Sequence, residues 1–174
     1  PIDLGYNVEE SLPSLVQYAL HVNDKELLEQ LRQSMRAHLQ FMLPDGAWDN
    51  SWGTRMFKWT YWGSRTSDGC QTAYALLADS DPQFYTAALR NTQLLKSCTA
   101  NGLLQGGPHE AAHALQSSVH HSFCHAKAMA NVCNNKQKLP ATLQPVNLPR
   151  EIDQGVKYFP DIRTWLIAIG DWRA

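Results

Sequence analysis

Charge is scarce in this sequence. Asp, Glu, Lys and Arg make up 18% of its 174 residues and sum to a net charge of −1, below the usual quarter. There is no Lys/Arg-rich stretch or basic tail, so the electrostatic footprint that nucleic-acid binding requires is missing. No apolar run approaches the roughly 18 residues of a membrane-spanning helix, and no membrane span is expected. The first residues, Pro1-Ile2-Asp3-Leu4-Gly5-Tyr6-Asn7, carry neither the charged nor the apolar region of a secretory signal. With no initiating Met, Pro1 need not be the native start. Cysteine is sparse as well: Cys70, Cys98, Cys124 and Cys133 form no Cys-x-x-Cys pair. That spacing argues against a structural zinc site and a disulfide framework, and leaves small buried thiols as the expectation. What is plentiful is apolar residues, 44% of the chain, enough for one ordinary core at this length.

Those residues fall into helical patterns. Asn7-Val8-Glu9-Glu10 reads as an N-cap with Glu at the third helical position, opening a helix to about Val22. Asp24 caps a second helix, in which Leu27, Leu28, Leu31, Met35, Leu39 and Met42 share a stripe that Lys25, Glu29, Arg32 and Arg36 avoid. Pro44-Asp45-Gly46 ends it. Further helices are expected over about 68–78, from Asp81-Pro82 to about Cys98, briefly from Pro108, and over about 117–132, with Asn101-Gly102 as a stop. A displacement of 56 residues carries Tyr18-Ala19-Leu20 onto Tyr74-Ala75-Leu76, Leu28 onto Phe84, Leu39 onto Leu95 and Asp45-Gly46 onto Asn101-Gly102. A repeat of that length means stacked helical hairpins, a solenoid or a closed toroid. The charged 24–42 helix suits an outer position; 68–78 and 117–132, with only Asp68 and Lys127 charged, suit inner helices packed on both sides.

The fold expected is therefore mainly α: two and a half helical hairpins over residues 1–135. Residues 136–174 then form a Pro-rich connection and the start of a β-domain, with strand-like runs at Tyr158-Phe159-Pro160 and Thr164-Trp165-Leu166-Ile167-Ala168-Ile169. A strand so near Ala174 has few partners here, which predicts that the β-domain continues beyond it. An open stack also exposes an apolar end, so the remainder of a parent chain or a second copy is the expected protein partner.

Four of the six Trp (Trp48, Trp52, Trp59 and Trp62) fall in one 15-residue window that also holds Arg55, Phe57, Lys58 and Tyr61, with Arg65 just beyond. A loop of roughly 20 residues without periodicity tends to be functional. Aromatic faces stack on sugar rings and the cations suit carboxylate or sulfate; a satellite core plugging the end of the stack is the alternative for any single Trp, and ligand contact is the expectation for the cluster with its cations. His109-Glu110-Ala111-Ala112-His113 fits a zinc-hydrolase pattern. However, Pro108 makes it begin a helix, and His120 is one residue past the third-ligand position of the extended form; chance in a His-rich segment accounts for it better. His120, His121 and His125 lie on the 117–132 helix, where an imidazole could move a proton. A hydrogen-bonded core role, or a metal held by the i,i+4 pair His121 and His125, are the alternatives.

Asp45-Gly46-Ala47-Trp48 followed by Tyr61-Trp62-Gly63 resembles the Asp-Gly-Ser-Phe and downstream Tyr-Gly elements of the (α/α) toroid polysaccharide lyases, the chondroitin-lyase, alginate-lyase and heparinase II/III-like enzymes. The resemblance covers about residues 7–135, and helical hairpins followed by β-material match the order of domains. It implies β-elimination on an acidic, uronic-acid-containing polysaccharide, without a cofactor, in the periplasm or outside the cell. It also implies that a Tyr or His removes the C5 proton while Asn, Arg or His neutralises the carboxylate. On these positions Tyr61 is the Tyr, Arg65 or Arg55 the carboxylate ligand and His121, beside His120, the base; Trp48, Trp52, Trp59, Trp62 and His109 would contact sugar. Some of these enzymes carry a His shortly after the first element, where Asp49-Asn50-Ser51 stands here. A non-catalytic glycan-binding module and a zinc-dependent hydrolase using His109, Glu110 and His113 are the other classes the residues allow.

Overall fold

The computed structural model describes residues 4–49, 71–105, 107–113, 119–135 and 142–174; the side chains of Gln71, Pro108, His109, Glu110, His120 and His121 lie outside the description. A helical run opens the chain as α1 (Leu4–Tyr6), a π-helical turn (Asn7–Ser11) and α2 (Leu12–Val22). Leu4, Val8, Leu12, Val16 and Ala19 bury one continuous stripe along it. Tyr6 is already helical (φ −63°, ψ −34°), so Asn7 lies inside the run and is not its cap. Its amide instead meets Nε2 of His38 at 3.3 Å, and a tertiary contact replaces the expected local one.

The hairpin turn follows the local chemistry. Asn23, left-handed at φ 56°, closes α2. Asp24 then accepts from the Leu27 N–H at 2.9 Å and starts α3 (Lys25–Leu39). Leu28, Leu31, Met35 and Leu39 are buried while Lys25, Glu29 and Arg36 face solvent, the two-sided helix expected. Helix α4 (Gln71–Leu76) belongs to a run from Thr72 to Ala78 that is buried throughout, as an inner element should be. Asp81, extended and accepting from Gln83 N–H at 3.0 Å, caps α5 (Pro82–Ser97). Helix α2 packs on α3 and α4, α4 on α5, and α4 on α7 (Val119–Asn134). The Tyr74 hydroxyl donates to the Met35 carbonyl at 2.9 Å and its ring meets the edge of Phe84 at 5.3 Å, joining three helices around one buried aromatic. Thr72 Oγ1 donates to the Ala128 carbonyl across a separation of 56 residues, the interval of the repeat.

Three expectations change. Asn101 (φ 53°) and Gly102 (φ 77°) do more than stop α5: they turn a two-residue hairpin between β1 (Thr99–Ala100) and β2 (Leu103–Leu104), because two successive positive φ angles match strand twist. Among the described residues, helix α7 is covered on one side only. It packs on α4 by one face and leaves Val119 and Phe123 72% and 75% exposed. The thiols are not uniformly buried either: Cys98 is, Cys124 is partly covered and Cys133 is exposed.

After the short helices α6 (Pro108–His113) and α8 (Pro149–Ile152) the chain ends in an antiparallel sheet of β3 (Gly155–Phe159), β4 (Thr164–Ile169) and β5 (Trp172–Arg173), so β4 finds two partners within the chain. Tyr158 pairs with Trp165 and Phe159 with Thr164. Leu166, Ala168 and Phe159 face the helices, with the Phe159 and Phe41 rings 5.1 Å apart. The opposite face exposes Val156, Tyr158, Trp165 and Ile169, with the Tyr158 and Trp165 rings stacked at 4.2 Å. Residues 143–148 lead to α8 without regular secondary structure, with Val146 N–H on Thr86 Oγ1 at 2.9 Å and the Asn147 carbonyl on Gln83 Nε2 at 3.0 Å. Among the described residues no helix is long and apolar enough to cross a membrane.

Candidate functional site

The Asp45-Gly46-Ala47-Trp48 element is a clamp. Asp45 Oδ1 accepts from Ala47 N–H at 3.0 Å, and Leu43 and Ala47 close the loop with a backbone hydrogen bond of 2.8 Å. Gly46 has φ +89°, and a Cβ there would stand 2.6 Å from the carbonyl carbon and oxygen of Arg90 and 2.8 Å from the nitrogen of Asn91. Only glycine fits, for space as well as for backbone conformation. Buried Asn91 donates to the Gly46 carbonyl at 2.9 Å, and Arg90 donates to the Pro44 carbonyl at 2.9 Å while pairing with Glu151. Just beyond the turn, Asp49 pairs with Arg150 at 2.8 Å, both side chains nearly covered. The clamp thus ties the chain leaving α3 to α5 and α8.

Trp48 is part of this clamp, which corrects its expected place on a ligand. Its ring is fully buried, 5.9 Å from that of Tyr74, and bridged at the backbone to Met42. Anchoring of Gly46 on α5 turns the ring inward and leaves no face for a sugar. Trp52, Arg55, Trp59, Tyr61, Trp62 and Arg65 lie in 50–70, outside the described residues.

The His-rich helix is α7, whose first turn carries His120 and His121. Ser122 Oγ accepts from the Leu104 N–H at 2.7 Å and fixes that end of α7 to β2. His125, four residues on from His121, is 3% exposed. Ala128, where Thr72 attaches, lies eight residues along α7 from His120, about 12 Å at the helical rise. His109 opens α6, which begins at Pro108, so the His-Glu-x-x-His motif occupies a single six-residue helix.

Two titratable groups were not legible as special. His38 Nδ1 lies 2.7 Å from the Ser34 carbonyl and must donate to it, so Nε2 is the acceptor toward Asn7. Burial lowers the His38 pKa against the opposing pull of the Ser34 hydrogen bond, which favours the neutral ring. Burial also pushes the Cys124 thiol up to about 11, helped by a hydrogen bond and the negative charge of Glu9. It is therefore a protonated thiol at neutral pH and a poor nucleophile.

The described residues give a framework of paired helices, and comparison with known proteins identifies its family. Residues 1–151 match the family described as the ulvan lyase N-terminal domain. The chain belongs to that family. It is similar to the broad-specificity ulvan lyase of Formosa agariphila, 54% identical over 172 residues, which is 99% of this chain and 27% of that protein. The chain thus spans about a quarter of the length of the curated relative it matches. No solved structure matches the chain.

Proposed function

We propose that this chain forms part of a polysaccharide lyase that cleaves an acidic, uronic-acid-containing polysaccharide by β-elimination. The observation that carries the reading is the 54% identity to a relative named as an ulvan lyase, over almost the whole chain. In this chemistry a base takes the proton from C5 of the uronate and the electron pair forms the C4–C5 double bond. The C4–O bond to the neighbouring sugar breaks as that double bond forms, its electron pair leaving with the oxygen, which then takes up a proton. The C5 proton becomes removable once the carboxylate is neutralised, because the developing charge spreads onto it. Arg65, with Arg55, takes the neutralising role; Tyr61 donates or accepts a proton; His121, with His120 beside it, is the base; Trp52, Trp59, Trp62 and His109 hold neighbouring sugars. Successive hairpins, α2 with α3 and α4 with α5, followed by α7, support an incomplete (α/α) toroid as the framework. By resemblance to that family, the same reading puts the protein in the periplasm or outside the cell.

The test is ultraviolet absorbance from unsaturated uronate products when the full-length protein meets ulvan, repeated with Tyr61→Phe and Arg65→Ala. Expected is a rise for wild type and a loss of about a hundredfold or more in turnover for Tyr61→Phe. Binding without any absorbance rise would replace the lyase with a glycan-binding module. Stoichiometric zinc lost in His113→Ala would point to the hydrolase.

A further inference from the structure

Between the inner face of the C-terminal sheet and α8 lies a half-open groove of about 480 Å³, within the ~300–1,000 Å³ typical of small-ligand sites. Leu166 and Ala168 of β4, both nearly covered, supply an apolar floor. Arg150 stands at the back, but its charge is used: it is 4% exposed and held by Asp49 at 2.8 Å. The mouth is polar, with Gln40, Asp153 and Lys157. Gly155, also in the lining, has φ +97° and nothing within 4 Å of the place a Cβ would occupy, so that wall is open.

Lys157 is the unusual member. Its ammonium donates to the Gln40 side-chain oxygen at 2.6 Å and lies 5.7 Å from the Phe159 ring centre, two neutral partners. No described carboxylate pairs with it, Asp153 included. The amide holds the cation in position without neutralising it, on a strand fixed by pairing along the whole of β3. A cation held in position and paired with no described carboxylate, in a groove that also has an apolar floor and the Asp153 carboxylate in its lining, suits a ring that has an apolar face, hydroxyl groups and one negative charge.

We propose that this groove is a subsite for an acidic sugar unit of the polysaccharide, with Lys157 as the partner of its carboxylate or sulfate and Asp153 accepting from its hydroxyls. The inference rests on the lyase reading above and names a second place where the polymer is held, at the groove that Arg150 lines.

The experiment is steady-state cleavage of ulvan and of desulfated ulvan by the full-length protein, with Lys157→Met, Lys157→Arg and Ala168→Phe. Lys96→Met, an exposed cation on α5 that does not line the groove, is the control. Loss of one charge-assisted contact is expected to raise KM about tenfold for Lys157→Met, with kcat within about twofold. Ala168→Phe, which fills the floor, should do the same, and Lys157→Arg should recover most of the affinity while Lys96→Met changes nothing. An effect confined to the native polymer identifies sulfate as the bound anion, and one kept on the desulfated polymer identifies carboxylate. If Ala168→Phe lowers the unfolding temperature, the exposed Lys157 variants decide alone. Cleavage with unchanged KM in Lys157→Met overturns the subsite and leaves the lyase standing. A wild type that neither cleaves nor binds the polymer overturns both.

Discussion

Replacing Gly46 with Ala should be among the most damaging small changes available in this protein. The new methyl would meet backbone atoms of α5 at 2.6–2.8 Å, and backbone cannot swing aside as a side chain can. Relieving that overlap costs about 1–3 kcal/mol by the usual penalty of overpacking. A non-glycine residue in left-handed backbone adds about 1–2 kcal/mol. If the loop lifts instead, the buried Asn91 amide loses the Gly46 carbonyl, at about 1–3 kcal/mol for an unsatisfied donor. Relaxation will choose the cheaper combination, so a loss of about 4 kcal/mol is expected, or roughly 8–16 °C in Tm for a chain of this size. Gly102→Ala provides the internal comparison. Its φ is +77° but a Cβ there meets nothing within 4 Å, so only the backbone term of about 1–2 kcal/mol applies. Urea unfolding of both variants with unchanged m-values measures the difference. Equal losses at the two sites would refute the claim that close approach to α5 makes Gly46 necessary.

Other consequences are as specific. Asp49→Leu or Arg150→Met alone removes the opposite charge from a mostly buried side chain and should cost about 3–5 kcal/mol, whereas the double variant should recover most of it; additive losses in a double-mutant cycle would show that the pair does not interact. Because burial lowers the His38 pKa below its ordinary 6.5, the unfolded chain binds the proton more readily. His38 therefore contributes stability that is present above pH 6.5 and lost as pH falls toward its folded value. His38→Gln should flatten that part of the stability–pH curve, and an unchanged slope would assign it to other groups. Asp81→Ala removes the cap of α5 and the partner of Arg36, and should cost about 1 kcal/mol by chemical denaturation.

Much of the helical framework was legible because its signals are local. Asp24 and Asp81 cap helices through contacts two or three residues away, and a cap of that kind can be read from neighbours in the chain. The 56-residue interval aligns residues by sequence, and the Thr72 hydroxyl donates to the Ala128 carbonyl that many positions on. Equivalent residues need not share an environment, however: Tyr74 is fully buried between helices, whereas Tyr18, its counterpart, is 58% exposed. What could not be read was the direction of Trp48. A Trp-rich stretch reports composition, but the ring is turned inward by contacts of Gly46 with residues 45 positions away. The Asp49–Arg150 pair spans 101 positions and has no local signature at all. Asn101-Gly102 carried a hairpin signal of its own, and its position after a long helix made it read as a simple stop.

Helix α5 touches both of the regions described above through a single run of residues. Gln83, Thr86 and Arg90 follow one another at helical spacing and hold Asn147, Val146 and Glu151 in turn, while Arg90 and Asn91 also hold Pro44 and Gly46. The helix therefore works as a common rail on which the clamp and the approach to the sheet are hung. In hydrogen exchange the amides of Ala47 and Asp49 on one side, and of Val146 and Leu148 on the other, should become accessible in the same opening event, although about a hundred residues separate them. A ligand bound at either end of that rail would slow exchange at both.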